Sequence, residues 1–227
     1  MKAIKKEWFL SICIGSSMLF GFGLNVFAQV FPETSGKPVY LDTSQSFEKR
    51  TKDLISRLSV EEKAMMLDHK GPDLERLNIL SDKWNQCLHG VVWNLPTTMF
   101  PIPTAMGATW DPVLIHGVAG VISDEARAIY NGWHNDPNFQ GDKKGLIYRA
   151  PVVNVSRNPY WGRINEIYSE DPYLTGRMGV AYVKGLQGED PKYLKLVSTL
   201  KHYAVNNVET DRQKLNANVG ERWLFEY

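Results

Sequence analysis

The sequence predicts an α/β fold with parallel strands, and three observations carry that prediction. Short apolar runs, polar loops and helix-like patterns alternate from Leu80 onward. Val152, Val153 and Val155 make a buried-strand pattern, cut off by the polar turn of residues 156–159. Two helical stretches flank it, one opened by the cap-and-first-turn pair Asp111-Pro112, the other covering residues 172–186 and closed by Gly188. Periodicity leaves open whether the sheet is flat or closed.

Each element has its own local reason. Residues 1–28 read as a secretory signal peptide: Lys2, Lys5 and Lys6 form a positive start, residues 8–27 are mostly apolar, and Ala28 offers a cut before Gln29. The apolar run is also long enough for an uncleaved membrane anchor. Either way the mature part is expected outside the cytoplasm, periplasmic or extracellular. Residues 29–46, with two prolines and a glycine in 30–42, read as a flexible lead-in, and the folded domain is expected over 47–227. Phe47, Leu54, Ile55 and Leu58 recur with helical spacing. Ser59 with Glu62 forms a capping-box pattern ahead of Ala64, Met65, Met66 and Leu67, and the Met pair is expected in the core.

Leu114, Val118, Val121, Ile122 and Ile129 make an apolar stripe on the first long helix. Residues 131–144 are a polar loop whose Trp133 and Phe139 either flank a ligand or pack; packing is the plainer reading. A short strand is expected at 193–199 from Leu194, Leu196 and Val197, then a polar loop at 206–218 and a helix from Glu221.

Composition excludes several functions. The formal charge is +1, with 26 basic and 25 acidic side chains, so nothing favours nucleic acid or an anionic membrane surface. Seven Trp, ten Tyr and nine Phe suit a neutral ligand such as a sugar, among others. Two cysteines are too few for a disulfide framework. Cys13 leaves with the leader, and Cys87 is expected as a buried small apolar residue. No H-E-x-x-H, paired-Cys or Gly-rich phosphate motif is present, so neither a metal nor another cofactor is expected.

The richest stretch is A-P-V-V-N-V-S-R-N-P-Y-W-G-R-I-N-E-I-Y-S-E-D-P, residues 150–172. A strand emptying into a loop of Arg, Glu, Asp, Trp and Tyr is where α/β enzymes place substrate. The plainer alternative is a structural corner, with Arg163 paired to Glu166 or Glu170. Residues 152–188, with W-N-Q-C-L-H-G-V before them and K-H-Y-A-V-N-N-V-E-T-D-R after them, resemble the signature of glycoside hydrolase family 3. The likeness covers roughly residue 47 to the end.

That resemblance implies a (β/α)8 TIM-type barrel followed by an α/β sandwich domain. A barrel needs about 250 residues. The chain is therefore expected to be the N-terminal portion of a larger multidomain enzyme, holding an incomplete barrel. The implied activity is retaining, exo-acting hydrolysis of β-linked xylose or glucose from plant-type oligo- and polysaccharides. The implied catalytic carboxylates lie outside this sequence, so the chain holds no catalytic residue and is expected to be inactive alone.

By the same resemblance Gln86, Arg163, Lys201 and His202 are the substrate-binding residues. The family usually has Asp or Glu where Gln86 stands. An amide can both donate and accept hydrogen bonds. Lys201 and His202 are adjacent, so both reach one sugar only where the strand ends or distorts. Without the resemblance, an exposed Lys and a buried His would be the plainer reading. His89 is not marked as an acid. The segment after His202 reads Tyr203-Ala204-Val205-Asn206-Asn207, not the Pro-Gly-His-Gly of the N-acetylglucosaminidase branch. The N-Q-C-L-H-G segment leans towards β-xylosidases. The expected partner is a carbohydrate substrate, with no nucleic acid and no lasting membrane partner once the leader is cut. A non-catalytic sugar-binding remnant is the alternative.

Overall fold

The computed structural model describes residues 37–68, 71–80, 83–141 and 143–226, and these form two units divided after Leu58. The expected leader lies outside the described residues.

In the first unit, a 3-10 turn at Val39–Leu41 lies against helix α1, Phe47–Arg57. The lead-in is therefore ordered at that turn. Asp53 makes the join: its carboxylate accepts from Tyr40 N at 3.0 Å and from both Nε and Nη2 of Arg57 at 3.0 Å. Arg50 Nε donates to Tyr40 O at 2.9 Å. Ser46 caps α1 by accepting from Lys49 N.

The second unit begins with α2, Val60–Met65, which carries the expected reciprocal capping box of Ser59 and Glu62. The expected burial of the Met pair does not hold, since Met65 and Met66 are exposed. The helix is six residues long and ends within that pair, so it has no long face to bury.

A short helix α3, Pro103–Gly107, precedes the long α4, Pro112–His134. Asp111 caps α4 by accepting from Val113 N and Leu114 N. The next long helix, α5, Pro172–Gln187, ends at Gly188, whose N–H donates to Lys184 O. These two helices pack against each other and build the main core. Ile115, Ala119, Ile122 and Ala126 face Met178, Tyr182 and Leu186 in one buried cluster.

The stripe expected on α4 holds in part: Ile122 is fully buried, and Val118 and Ile129 pack against the core. Leu114 and Val121 are exposed, while Ile115 and Ala119 are fully buried. Close approach of the helices explains it. A Cβ on Gly185 would lie 2.4 Å from His116 O and 2.7 Å from Ala119 Cβ. Small residues allow the close approach, and the face that meets α5 combines them with Ile115 and Ile122.

The strands are shorter than their patterns suggest. β1 is Ile147–Tyr148 and β2 is Val197–Ser198, paired parallel with Ile147 opposite Val197. A third segment at Asn85 pairs parallel on the other side of β1, with Asn85 N to Ile147 O and Arg149 N to Asn85 O both 2.9 Å. α4 lies in the chain between the Asn85 segment and β1, and α5 between β1 and β2. That is the order of βαβ units, as the sequence predicts. The strand expected through Val152, Val153 and Val155 is reduced to one parallel bridge, Val152 with Lys201. Past that bridge side chains take the bonds: His202 N donates to Asn154 Oδ1, and Val155 O accepts from Asn207 Nδ2. Tyr148, Ala150 and Leu196 are buried in the helix-side core, so Ile147, Arg149 and Val197 alternate to the other face.

Candidate functional site

Beyond β1 the chain runs into the loop that carries Trp161, Arg163 and Glu166. A 3-10 turn at Ile164–Glu166 holds the last two close. The turn is pinned from α3, where the Thr104 hydroxyl sits 3.0 Å from both Ile164 O and Ile167 O. α3 comes that near because Gly107 lacks a side chain; its Cβ would lie 2.0 Å from Tyr168 O.

Arg163 grips Glu166 with both arms, Nε to Oε1 at 2.8 Å and Nη2 to Oε2 at 2.7 Å. This is the ion pair that the plainer reading of the loop expects. It is not isolated, however. Lys201 Nζ approaches the same Oε2 at 3.5 Å, from the segment that follows β2. Arg163 Nη1 lies 3.5 Å from Glu209 Oε1, which also accepts from the Trp161 indole at 3.1 Å. Arg212 holds the other Glu209 oxygen at 2.9 Å. His202 follows Lys201, and its ring meets that of Trp161 edge-on at 6.3 Å.

The strand has ended where Lys201 and His202 must share a site. Lys201 makes the last bridge, with Lys201 N on Pro151 O and Val153 N on Lys201 O, and no regular strand continues past it. His202 turns onto Asn154, whose Oδ1 accepts from His202 N at 2.9 Å and lies 3.0 Å from the ring Nδ1.

Charges in this half-buried cluster interact strongly. Burial works against the charge on Glu166, but Arg163 and Lys201 outweigh it and hold the carboxyl below its ordinary range. Burial lowers the Lys201 ammonium; Glu166 opposes that, and Arg163 and Arg149 add to it. Burial, then Arg163 and Lys201, pull the His202 imidazole down to about 4, against the smaller pull of Glu166 and Glu209. At neutral pH the cluster thus presents the carboxylates of Glu166 and Glu209, the cations of Arg163, Lys201 and Arg212, and a neutral imidazole. Such a set can hydrogen-bond hydroxyl groups. Among the described residues no group of three or more His, Cys, Asp or Glu is placed to hold a metal ion.

Gln86 stands apart. It borders a cavity of about 510 Å³ with Leu88, His89 and Trp93. His202 and Asn154 border a different one, of about 400 Å³. His89 places Nδ1 3.1 Å from Phe100 O. Trp133 is packed, its indole donating to Lys144 O at 3.0 Å. Cys87 is fully buried, and burial raises its thiol to about 12, in keeping with a packing role.

Residues 79–222 match the glycosyl hydrolase family 3 N-terminal domain. The chain belongs to glycosyl hydrolase family 3. It is 41% identical over 207 residues to a xylan 1,4-beta-xylosidase of Xylanibacter ruminicola, covering 90% of this chain and 22% of that protein. It is 36% identical to an exo-1,4-beta-xylosidase of Emericella nidulans, covering 82% and 25%. Among solved structures, an exo-beta-xylosidase bound to a xylobiose aziridine probe superposes with a TM-score of 0.66 at 31% identity, over 77% of this chain and 23% of that one. The Bifidobacterium adolescentis beta-glucosidase of the family gives 0.61 at 32%, over 75% and 23%. The chain spans about a quarter of the length of these relatives.

Three residues in or beside this cluster carried no predicted role. Glu209 lies inside the matched K-H-Y-A-V-N-N-V-E-T-D-R run, yet only the fold shows it meeting Arg163. Asn154 sits in the signature stretch, among valines. Arg149 stacks on Trp84 with its guanidinium carbon 3.5 Å from the ring centre. A cation over an indole leaves no local pattern in sequence.

The pairing sets a pH dependence. Glu166 has its folded-state pKa depressed, so its contribution to stability is complete above the unfolded value, about 4.3, and fades as pH falls through the folded one. Glu166→Gln should cost about 1–2 kcal/mol at pH 7, between the values for exposed and buried pairs. Urea unfolding of both proteins from pH 7 to 3.5 checks it. The difference should shrink below about pH 4.3; a deficit that stays constant would contradict the pairing.

Proposed function

We propose that this chain is the N-terminal part of a retaining, exo-acting β-glycosidase releasing terminal β-linked xylose or glucose from plant-type oligo- and polysaccharides. Its own share is to grip the terminal sugar. The convergence of Arg163, Lys201 and His202 around Glu166, where parallel segments end, carries this reading. Sites of α/β folds sit at that end. Gln86 is assigned to the same shell as a weaker, uncharged contact. The two xylosidase relatives favour xylose, and the glucosidase structure keeps glucose in view. The three parallel segments are read as the first strands of an eight-stranded barrel.

Retaining hydrolysis uses two carboxyl groups about 5 Å apart, one a nucleophile and one an acid/base. Glu166 is shared by Arg163 and Lys201, and Glu209 by Arg163, Arg212 and Trp161. Carboxylates held this way are poor candidates for either task. Both roles are therefore assigned to the longer enzyme, outside this sequence. Lys201 acts directly, since a cationic donor strengthens its bond to a hydroxyl as the sugar ring becomes oxocarbenium-like. Arg163 spends Nε and Nη2 on Glu166 and has Nη1 3.5 Å from Glu209, a longer contact that a ligand hydroxyl can share.

Turnover of aryl β-xyloside and aryl β-glucoside tests this reading. The chain alone should give none. In the longer enzyme Lys201→Ala or His202→Ala should lower kcat/KM by about ten- to a thousand-fold. Near-normal kinetics in a folded Lys201→Ala enzyme would return that lysine to a structural role, and turnover by the chain alone would sink the carboxylate assignment.

We also propose that residues 1–28 are a cleaved leader and that the enzyme works outside the cytoplasm. Mass spectrometry of the exported product should find Gln29 at its start. An intact Met1 on a membrane-held chain would favour an anchor.

A further inference from the structure

Asn154 is nine-tenths buried and held on both sides. Its neighbour Val153 donates to Lys201 O at 2.8 Å, and Val155 O accepts from Asn207 Nδ2 at 3.2 Å. Its carboxamide can be oriented in only one way. Nδ2 lies 2.7 Å from Asn206 O, a group that only accepts. Oδ1 lies 2.9 Å from His202 N, a group that only donates. The atom 3.0 Å from His202 Nδ1 is therefore the amide oxygen. An oxygen accepts, so Nδ1 must carry the proton. In a neutral ring Nε2 is then left with its lone pair exposed.

We infer that Asn154 is a positioning residue that fixes His202 with its ring proton on Nδ1, so that Nε2 meets a ligand hydroxyl as an acceptor. The hydroxyl ligand rests on the sugar-binding reading above; the ring state does not. Nε2 is open to a ligand. It has no hydrogen-bond partner among the described residues, and the one buried, unpartnered side-chain atom among them is the Tyr168 hydroxyl.

The role follows from what the neighbours lack. A sugar hydroxyl donates one hydrogen and accepts others. Lys201 and Arg163 can only donate. Glu166 can accept, but both cations already draw on it. A ring protonated on Nε2 would add a third donor and leave hydroxyl hydrogens unmatched, at the cost of a desolvated polar group. The Nδ1–H ring supplies the missing acceptor instead. Specificity at this corner then lies in a hydroxyl that can donate.

The test uses the full chain labelled with 15N-histidine, at pH 7 and without sugar. A long-range 1H–15N spectrum should place His202 Nε2 at the downfield position of a bare ring nitrogen and Nδ1 at the position of a protonated one. A protonated Nε2 would overturn the inference. In Asn154→Ala the ring should shift towards the Nε2–H form, and an unchanged ring would remove Asn154 from the role.

Should that variant not fold, Asn154→Asp decides. It keeps the acceptor oxygen and adds a negative charge, while Arg163, Lys201, Glu166 and Glu209 stay as they are. The ring's titration midpoint should rise by about one unit or more, and an unmoved midpoint would overturn the contact. Because no sugar is present, these outcomes are independent of the kinetic test of sugar binding.

Discussion

The site depends on one carboxylate. Glu166 stands between Arg163, on its own turn, and Lys201, from the segment after β2. Without it two cations would face each other in a half-buried place, where charge is costly to leave unpaired. Everything nearby serves that arrangement. The Thr104 hydroxyl and the missing side chain of Gly107 bring α3 onto the turn that presents Glu166. The pairing of Val152 with Lys201 brings the second cation to it. Buried Trp161 ties Glu209 to the far side of Arg163 and shields His202. With its neighbouring cations, the same cluster keeps that imidazole neutral.

Local chemistry made much of this legible in the sequence. The capping box at Ser59 and Glu62, the cap at Asp111 and the helix closed by Gly188 are decided by adjacent residues, and each stands as expected. The Arg163–Glu166 pair was open to view because its partners stand three positions apart. Less legible were features set by distant neighbours. Leu114 and Val121 fell outside the α4 face, while Ile115 and Ala119 fell inside it where Gly185 admits a close crossing, which counting apolar residues on one helix does not reveal. The strand through Val152 was ended by the side-chain contacts of Asn154 and Asn207. Lys201 reaches Glu166, and Asn154 reaches His202, only once the βαβ order brings the segment after β2 alongside the segment after β1.

Gln86 and Arg149 lie outside the Glu166 cluster. Where the resemblance leads one to expect an acid, this chain has an amide. Arg149, next to β1 on the helix-free face, lies flat on Trp84, and no carboxylate among the described residues pairs with its guanidinium. An aromatic face can stabilise a cation in place of a counter-ion.

The central claim, proposed above, is that Lys201, His202 and Arg163 bind sugar hydroxyls. The most direct measurement follows the Lys201 Nζ, His202 ring and Arg163 Nε resonances of the labelled chain while xylose or glucose is added. Saturable shifts at these three groups, with Trp133 Nε1 unmoved, are the result the account predicts. Shifts absent from them, or confined to the His89 cavity, would contradict it.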